Sequence, residues 1–281
     1  MVVRIVVAVY VGLCLLLFFA QSKYLYYPGR DIGQTPADAG MKFDDVVIRT
    51  EDGESIAAWY VPAASNAGSA VTLLDCHGNA GSIGDRVESV RTFHGMGLNV
   101  LIFDYRGYGK STGRTTEEGT YKDAMAAWKY LVEQRGASTN RIVLFGRSLG
   151  GAVASWLAVQ VRPRVLVIES SFSSVRDMAA RIYPYLPVRL LCRFNYDNVD
   201  NVGKVRCAVL VAHSTEDDMI PYEHGRRIFA AANEPKLFVE MRGGHNAGGL
   251  DIHPDYQAAL LRFIEQHAGP VAGKADAGEV R

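Results

Sequence analysis

The run "RIVLFGRSLGG" (Arg141 to Gly151) joins a β-branched apolar stretch to a serine flanked by glycines, and then to an Ala- and Val-rich segment. Gly146 to Gly150 match G-x-S-x-G, a five-residue pattern that chance can supply and that is weak alone. Its position gives it weight. The apolar run ending at Phe145 predicts a buried strand, and Leu149 to Gln160 predicts a helix. A strand-to-helix turn this sharp needs glycine on both sides of the serine, because side chains there would collide with neighbouring backbone. Such a turn lifts the Ser148 hydroxyl above a sheet, at the amino end of a helix.

Outward from this turn the chain alternates apolar runs with amphipathic stretches. Val46–Thr50 and Ser55–Val61, joined by the turn-like Glu51-Asp52-Gly53, predict an antiparallel hairpin. Ala70–Cys76, Asn99–Tyr105, Arg141–Gly146, Arg164–Ser170, Cys207–His213 and Lys236–Met241 read as strands covered on both faces, since they are continuously apolar. Thr116–Gln134, Leu149–Gln160, Glu223–Ala232 and Pro254–His267 carry helical spacing. The expected fold class is α/β: a mostly parallel central sheet with helices on both faces, spanning residues 42–267. Residues 171–203 break the alternation with Pro184, Pro187 and several aromatics, and are expected to form a short lid insertion. The small, polar end, 268–281, is expected to be a disordered tail.

A serine hydroxyl near neutral pH needs a base, and the base needs an orienter. On an elbow of this kind the acid and then the histidine follow the serine along the chain. His77 and His94 precede Ser148, His213 ends a strand, and His224 and His267 fall in helical stretches. His245, in the glycine-rich "GGHN" after Met241, is the expected base, with His253 in reserve. The loop "HSTEDDMIP" (His213 to Pro221) offers Glu216, Asp217 and Asp218. Asp217 ranks first as the acid and Asp218 second, and whichever carboxylates are not the acid have a capping role for the helix starting near Tyr222 as their alternative. The oxyanion of an acyl intermediate needs backbone donors, each worth about 3 kcal/mol in a dry site. Leu149 N–H is one candidate, and Asn79 N–H, in "HGNAG" after the third strand, is the other.

Other classes find little support. Lys plus Arg equal Asp plus Glu at 30 each, with no basic stripe, so a nucleic-acid partner is not expected. "DYRGYGKS" (Asp104 to Ser111) misses the phosphate-loop spacing and reads as a structural loop with Arg106 paired internally. No metal or cofactor is expected. Cys14 and Cys76 read as buried small hydrophobes, while Cys192 and Cys207 could pair only in an oxidising compartment.

Residues 1–23 depart from a soluble enzyme. Ile5 to Ala20 carry no charge, and a helix of that length rises about 24 Å, close to a hydrocarbon core. An uncleaved signal anchor, a cleaved signal peptide and a buried core helix compete. The anchor is preferred, because Phe18 and Phe19 spoil a cleavage site and Tyr24, Tyr26 and Tyr27 suit a membrane interface. Arg4 competes with Lys23 and Arg30 for orientation, and the extracytoplasmic side is the one taken for the domain.

The blocks "HGNAGS", "DYRGYGKSTG", "GRSLGG", "ESSFSS", "HSTEDDMIP" and "GGHN" occur in an order that resembles the α/β-hydrolase superfamily. The resemblance is greatest to membrane-anchored α/β-hydrolase domain-containing serine hydrolases, related to serine aminopeptidases and lysophospholipase-like enzymes. It covers roughly Lys42 to His267 and implies Ser148 as nucleophile, Asp217 as acid and His245 as base. Ser214 departs from it, since such proteins commonly carry glycine there. The implied activity is hydrolysis of a carboxylic ester or thioester, with a small-molecule or lipid-like acyl substrate. A serine peptidase and a catalytically silent membrane-tethered binding module are the alternatives.

Overall fold

In the computed structural model, which describes residues 1–272, the strands are β1 (Tyr27–Pro28), β2 (Asp44–Arg49), β3 (Ser55–Val61), β4 (Thr72–Cys76), β5 (Ala80–Gly81), β6 (Asn99–Phe103), β7 (Ile142–Arg147), β8 (Val165–Glu169), β9 (Ala208–Ser214) and β10 (Lys236–Met241). The helices are α1 (Val2–Leu25), α2 (Val87–Gly95), α3 (Glu117–Lys129), α4 (Leu149–Val161), α5 (Val175–Ile182), α6 (Val188–Leu191), α7 (Asn198–Val202), α8 (Tyr222–Ala231) and α9 (Pro254–Ala268). Eight strands form one sheet in the order β10-β9-β8-β7-β4-β6-β3-β2. β3 runs antiparallel to both its neighbours, and the strands from β6 to β10 are parallel.

Both faces of the parallel strands are covered, which is why their sequences are continuously apolar. Alternation sorts the side chains. Ile142 and Leu144 face a layer that includes Ala124, Trp128, Leu157 and Ile228, from α3, α4 and α8. Val143 and Phe145 face the opposite layer, with Val90 and Phe93 of α2 and Leu260 and Ile264 of α9. β4 lies between β6 and β7, although β6 follows it in the chain. The connections therefore diverge there, which makes the carboxyl ends of β4 and β7 the switch point of the sheet. Ser148 and the "HGNAG" loop directly follow those two strand ends.

Some expectations need adjustment. α2 was not anticipated: it holds on through only Val87, Val90 and Phe93, too few apolar positions to stand out beside Glu88, Arg91 and His94. β10 is an edge strand and only partly covered. Residues 171–203 carry no strand, as expected, but contain the short helices α5, α6 and α7. All four cysteines are free. The chain stays packed past Ala268, since Val271 is buried and Ala272 N–H donates to Gly97 O at 3.1 Å. The rest of the expected tail lies outside the described residues.

Candidate active site

The elbow is built by steric necessity. A Cβ on Gly146 would lie 2.2 Å from Gly150 O, and one on Gly150 would lie 1.8 Å from Cys76 O. Between these glycines Ser148 adopts φ 54°, ψ −119°, a conformation that side-chain-bearing residues avoid. Such strain costs about 1–3 kcal/mol and persists only where the surroundings fix it. Here Ser148 N–H donates to Glu169 O at 2.9 Å, and Ser148 O accepts from Ser171 Oγ at 2.6 Å and Gly151 N–H at 3.0 Å.

Three loops converge on the hydroxyl. His245 Nε2 lies 3.2 Å from Ser148 Oγ, and His245 Nδ1 lies 2.8 Å from Asp217 Oδ2. Burial of Asp217 works against its charge. Hydrogen bonds from His245, Ile220 N–H and Met219 N–H outweigh that and hold its carboxyl below the ordinary value of 3.8. With Asp217 ionised, Nδ1 keeps its proton and Nε2 is free to accept from the serine.

Asp218 and Glu216, with helix capping as their alternative role, do something else. Asp218 Oδ1 accepts His245 N–H at 2.8 Å, and Glu216 Oε2 accepts Gly243 N–H at 2.9 Å. Pro221 occupies the cap position of α8, and no side chain caps that helix. All three acids of the loop therefore face the histidine loop. Ser214, the departure from the family pattern, adds a further tie: its Oγ donates to Gly243 O at 2.6 Å and accepts Glu216 N–H at 3.0 Å.

Arg147, the variable position of G-x-S-x-G, was not singled out by the sequence. Its Nη2 donates to His245 O at 2.7 Å, and its Nε lies 3.4 Å from Glu169 Oε1. It thus ties the histidine loop to the strand end that also accepts Ser148 N–H. Glu169 is fully buried, and burial pushes its carboxyl up while Arg147 opposes that shift. No sequence signal marks this contact, because it depends on two loops 98 positions apart meeting in space.

On the other side, the loop after β4 is propped by the "DYRGYG" segment. Tyr105 OH donates to His77 O at 3.0 Å, and Tyr108 OH donates to Asn79 O at 2.7 Å. Gly78 faces Ser148: a Cβ there would lie 3.7 Å from Ser148 Cβ. Leu149 N–H heads α4, where no intrahelical acceptor exists for it. Arg106 pairs with Asp52 and Asp123, the internal role expected for it. His77 is buried against Tyr105 and Tyr108, and burial pushes it down to about 3, so it stays neutral. The reserve histidine, His253, precedes α9 and contacts Arg242 O at 2.7 Å instead. Among the described residues, no cluster of His, Cys, Asp and Glu has the makings of a metal site.

Comparison with known proteins places the chain in a family. Residues 87–271, which include Ser148, Asp217 and His245, match the prolyl oligopeptidase family. An uncharacterized protein of Mycobacterium tuberculosis is 41% identical over 270 residues, covering 95% of each chain. The α/β hydrolase domain-containing protein WAV2 of Arabidopsis thaliana is 32% identical over 292 residues, covering 95% of this chain and 94% of that protein. Among solved structures, an esterase of Pyrococcus furiosus superposes with a TM-score of 0.72 at 21% identity, over 86% of this chain and all of its own. That last likeness speaks to the fold.

Proposed function

The chain belongs to the prolyl oligopeptidase family and is an α/β-hydrolase, and from that premise we propose that it is a serine hydrolase cleaving a carboxylic ester or thioester. The observation that carries the reading is the unbroken line from Asp217 through His245 to Ser148, at 2.8 and 3.2 Å. Ser148 Oγ attacks the acyl carbonyl while His245 Nε2 takes its proton. Leu149 N–H and Asn79 N–H receive the developing oxyanion. His245 then protonates the leaving alcohol or thiol, and water releases the acyl group by the same steps in reverse order of roles. Asp217 keeps Nδ1 protonated and steadies the imidazolium. No cofactor enters this scheme. The enzyme is held at a membrane by α1, a 24-residue helix whose long apolar stretch is mostly exposed.

A fluorophosphonate probe tests the nucleophile: the native chain should label covalently and Ser148→Ala should not. Equal labelling of the two rejects Ser148. The family's name favours a second reading, peptide hydrolysis. Acyl esters of graded chain length set against aminoacyl amides distinguish the two. Cleavage of the amides alone would replace the esterase reading with the peptidase one.

A further inference from the structure

The segment after β8 departs from the catalytic scaffold toward α1. Along the second half of α1, Cys14, Leu17, Phe18, Gln21 and Leu25 turn inward at helical spacing, while Val2 to Val9 stay exposed. Two polar side chains of this apolar helix are spent on the segment Val175 to Arg193, which forms a cap beside it. Tyr10 OH donates to Tyr185 O at 3.0 Å, and Gln21 Nε2 donates to Leu191 O at 2.6 Å. Gln21 Oε1 also accepts Arg193 N–H at 2.8 Å, and the Arg193 guanidinium lies 5.3 Å from the Phe18 ring centre.

The cap's own backbone is largely satisfied from within. Tyr183, Leu186, Val188, Leu190, Leu191 and Cys192 all donate to nearby carbonyls, and Pro184 and Pro187 have no N–H to satisfy. Its outer side is apolar: Tyr185 is 90% exposed, Leu190 83% and Ile182 58%. Around them Arg176, Arg181, Arg189 and Arg193 are exposed. The one acid from 175 to 193, Asp177, is already paired with Arg227 at 2.8 Å.

Resting on the reading of α1 as a membrane tether, we propose that the second half of α1 (Tyr10 to Leu25) and the cap, Val175 to Arg193, form one docking face seated in a single leaflet of a bilayer containing anionic phospholipid. Each part of the arrangement fits that occupant. Hydrocarbon tolerates irregular backbone only where its polar groups find partners, and here Tyr10 and Gln21 supply them. Apolar tips surrounded by arginines match acyl chains beneath anionic headgroups, since the arginine stems can lie along the apolar side while the guanidinium groups rise to the phosphates. Tyr10 and Gln21 are separated along the helix by about 16 Å, close to half of a hydrocarbon core of about 30 Å. The cap is rooted at Ser171, whose Oγ bonds Ser148 O.

The full-length protein in mixed phosphatidylcholine and phosphatidylglycerol vesicles tests this, with tryptophan introduced singly and read against the parent chain. Brominated acyl chains should quench Tyr185→Trp and Leu190→Trp as strongly as Phe19→Trp on α1. Val47→Trp, on the β2 edge, should stay unquenched. If Phe19→Trp alone is quenched, the docked cap is wrong and the tether stands. If none is quenched, both are wrong, and quenching of the cap without Phe19 refutes the shared face. The charge is tested by R176Q/R181Q/R189Q/R193Q. It should slow hydrolysis of a vesicle-borne long-chain ester by at least about tenfold while a soluble short ester is unaffected. An equal effect on both esters, or on neither, refutes the cationic rim.

Discussion

At the scale of the residue, the site combines a strained serine with partners that each have more than one duty. Asp217 accepts from His245 and from two backbone N–H groups of its own loop, so one carboxylate both holds the imidazole and shapes the turn. Residues that act as a unit are not additive. Ser148→Ala and His245→Ala should each lower turnover by about a millionfold, with the double variant no worse. Single-turnover and steady-state assays with a soluble ester check this, and a much slower double variant would contradict it. Arg147 touches no reacting atom and acts through the His245 carbonyl. Arg147→Gln should lower kcat by about 10- to 100-fold through misplacement of the imidazole, with KM little changed. Arg147→Lys should recover part of the loss. A rise in KM at constant kcat would point to substrate contact instead.

At the scale of the element, the carboxyl ends of β4, β7, β8, β9 and β10 present the loops that build the site, and their buried charges are part of the structure. Asp75, near the end of β4, is fully buried, and burial pushes its carboxyl up to about 7, with Arg86 opposing the shift. The unfolded chain ionises Asp75 from about pH 4 upward, whereas the folded chain keeps it protonated until about pH 7. Its contribution to stability is therefore greatest at low pH and is lost between those values. Asp75→Asn, neutral throughout, should gain Tm over the native chain progressively from about pH 4 to 7, and the gain should level off above that. Differential scanning fluorimetry across this range decides it; a gap independent of pH would mean that Asp75 is ionised in the fold. Element by element, the long buried strands were legible because β-branched runs covered on both faces have no other reading. α2 was not, because three apolar side chains on a short helix gain meaning only once β6 and Phe145 of β7 are there to cover them.

At the scale of the whole molecule, a hydrolase domain is joined to a helix that exposes most of its apolar surface. Burying such a helix in lipid removes far more apolar area from water than the domain itself covers. The full chain should stay in the membrane pellet through alkaline carbonate and high salt, and leave it only with detergent. Release by carbonate would argue for a peripheral contact or a cleaved leader. The same packing explains what the sequence concealed about the segment from 171 to 203. Its prolines and aromatics announce an interruption of the strand–helix rhythm, but that Tyr185 and Leu191 meet Tyr10 and Gln21 is a fact of two segments more than 160 positions apart.

Sequence alone determined the strand–elbow–helix, the mostly parallel sheet, where the candidate serine, acid and histidine stand along the chain, and an apolar N-terminal helix. These are local or periodic properties: a glycine where a Cβ would strike backbone, a run apolar at every position, a histidine in a loop rather than a helix. Only the tertiary structure decided which residues steady the site. Arg147 on the His245 carbonyl, Tyr108 beneath Asn79, Ser171 on the Ser148 carbonyl, and Glu216 and Asp218 on the histidine loop are long-range hydrogen bonds. Their geometry exists only after the sheet has brought its strand ends together. The physical reason is that side-chain chemistry and backbone preference are written residue by residue, whereas the distance between two loops is set by the packing of everything between them.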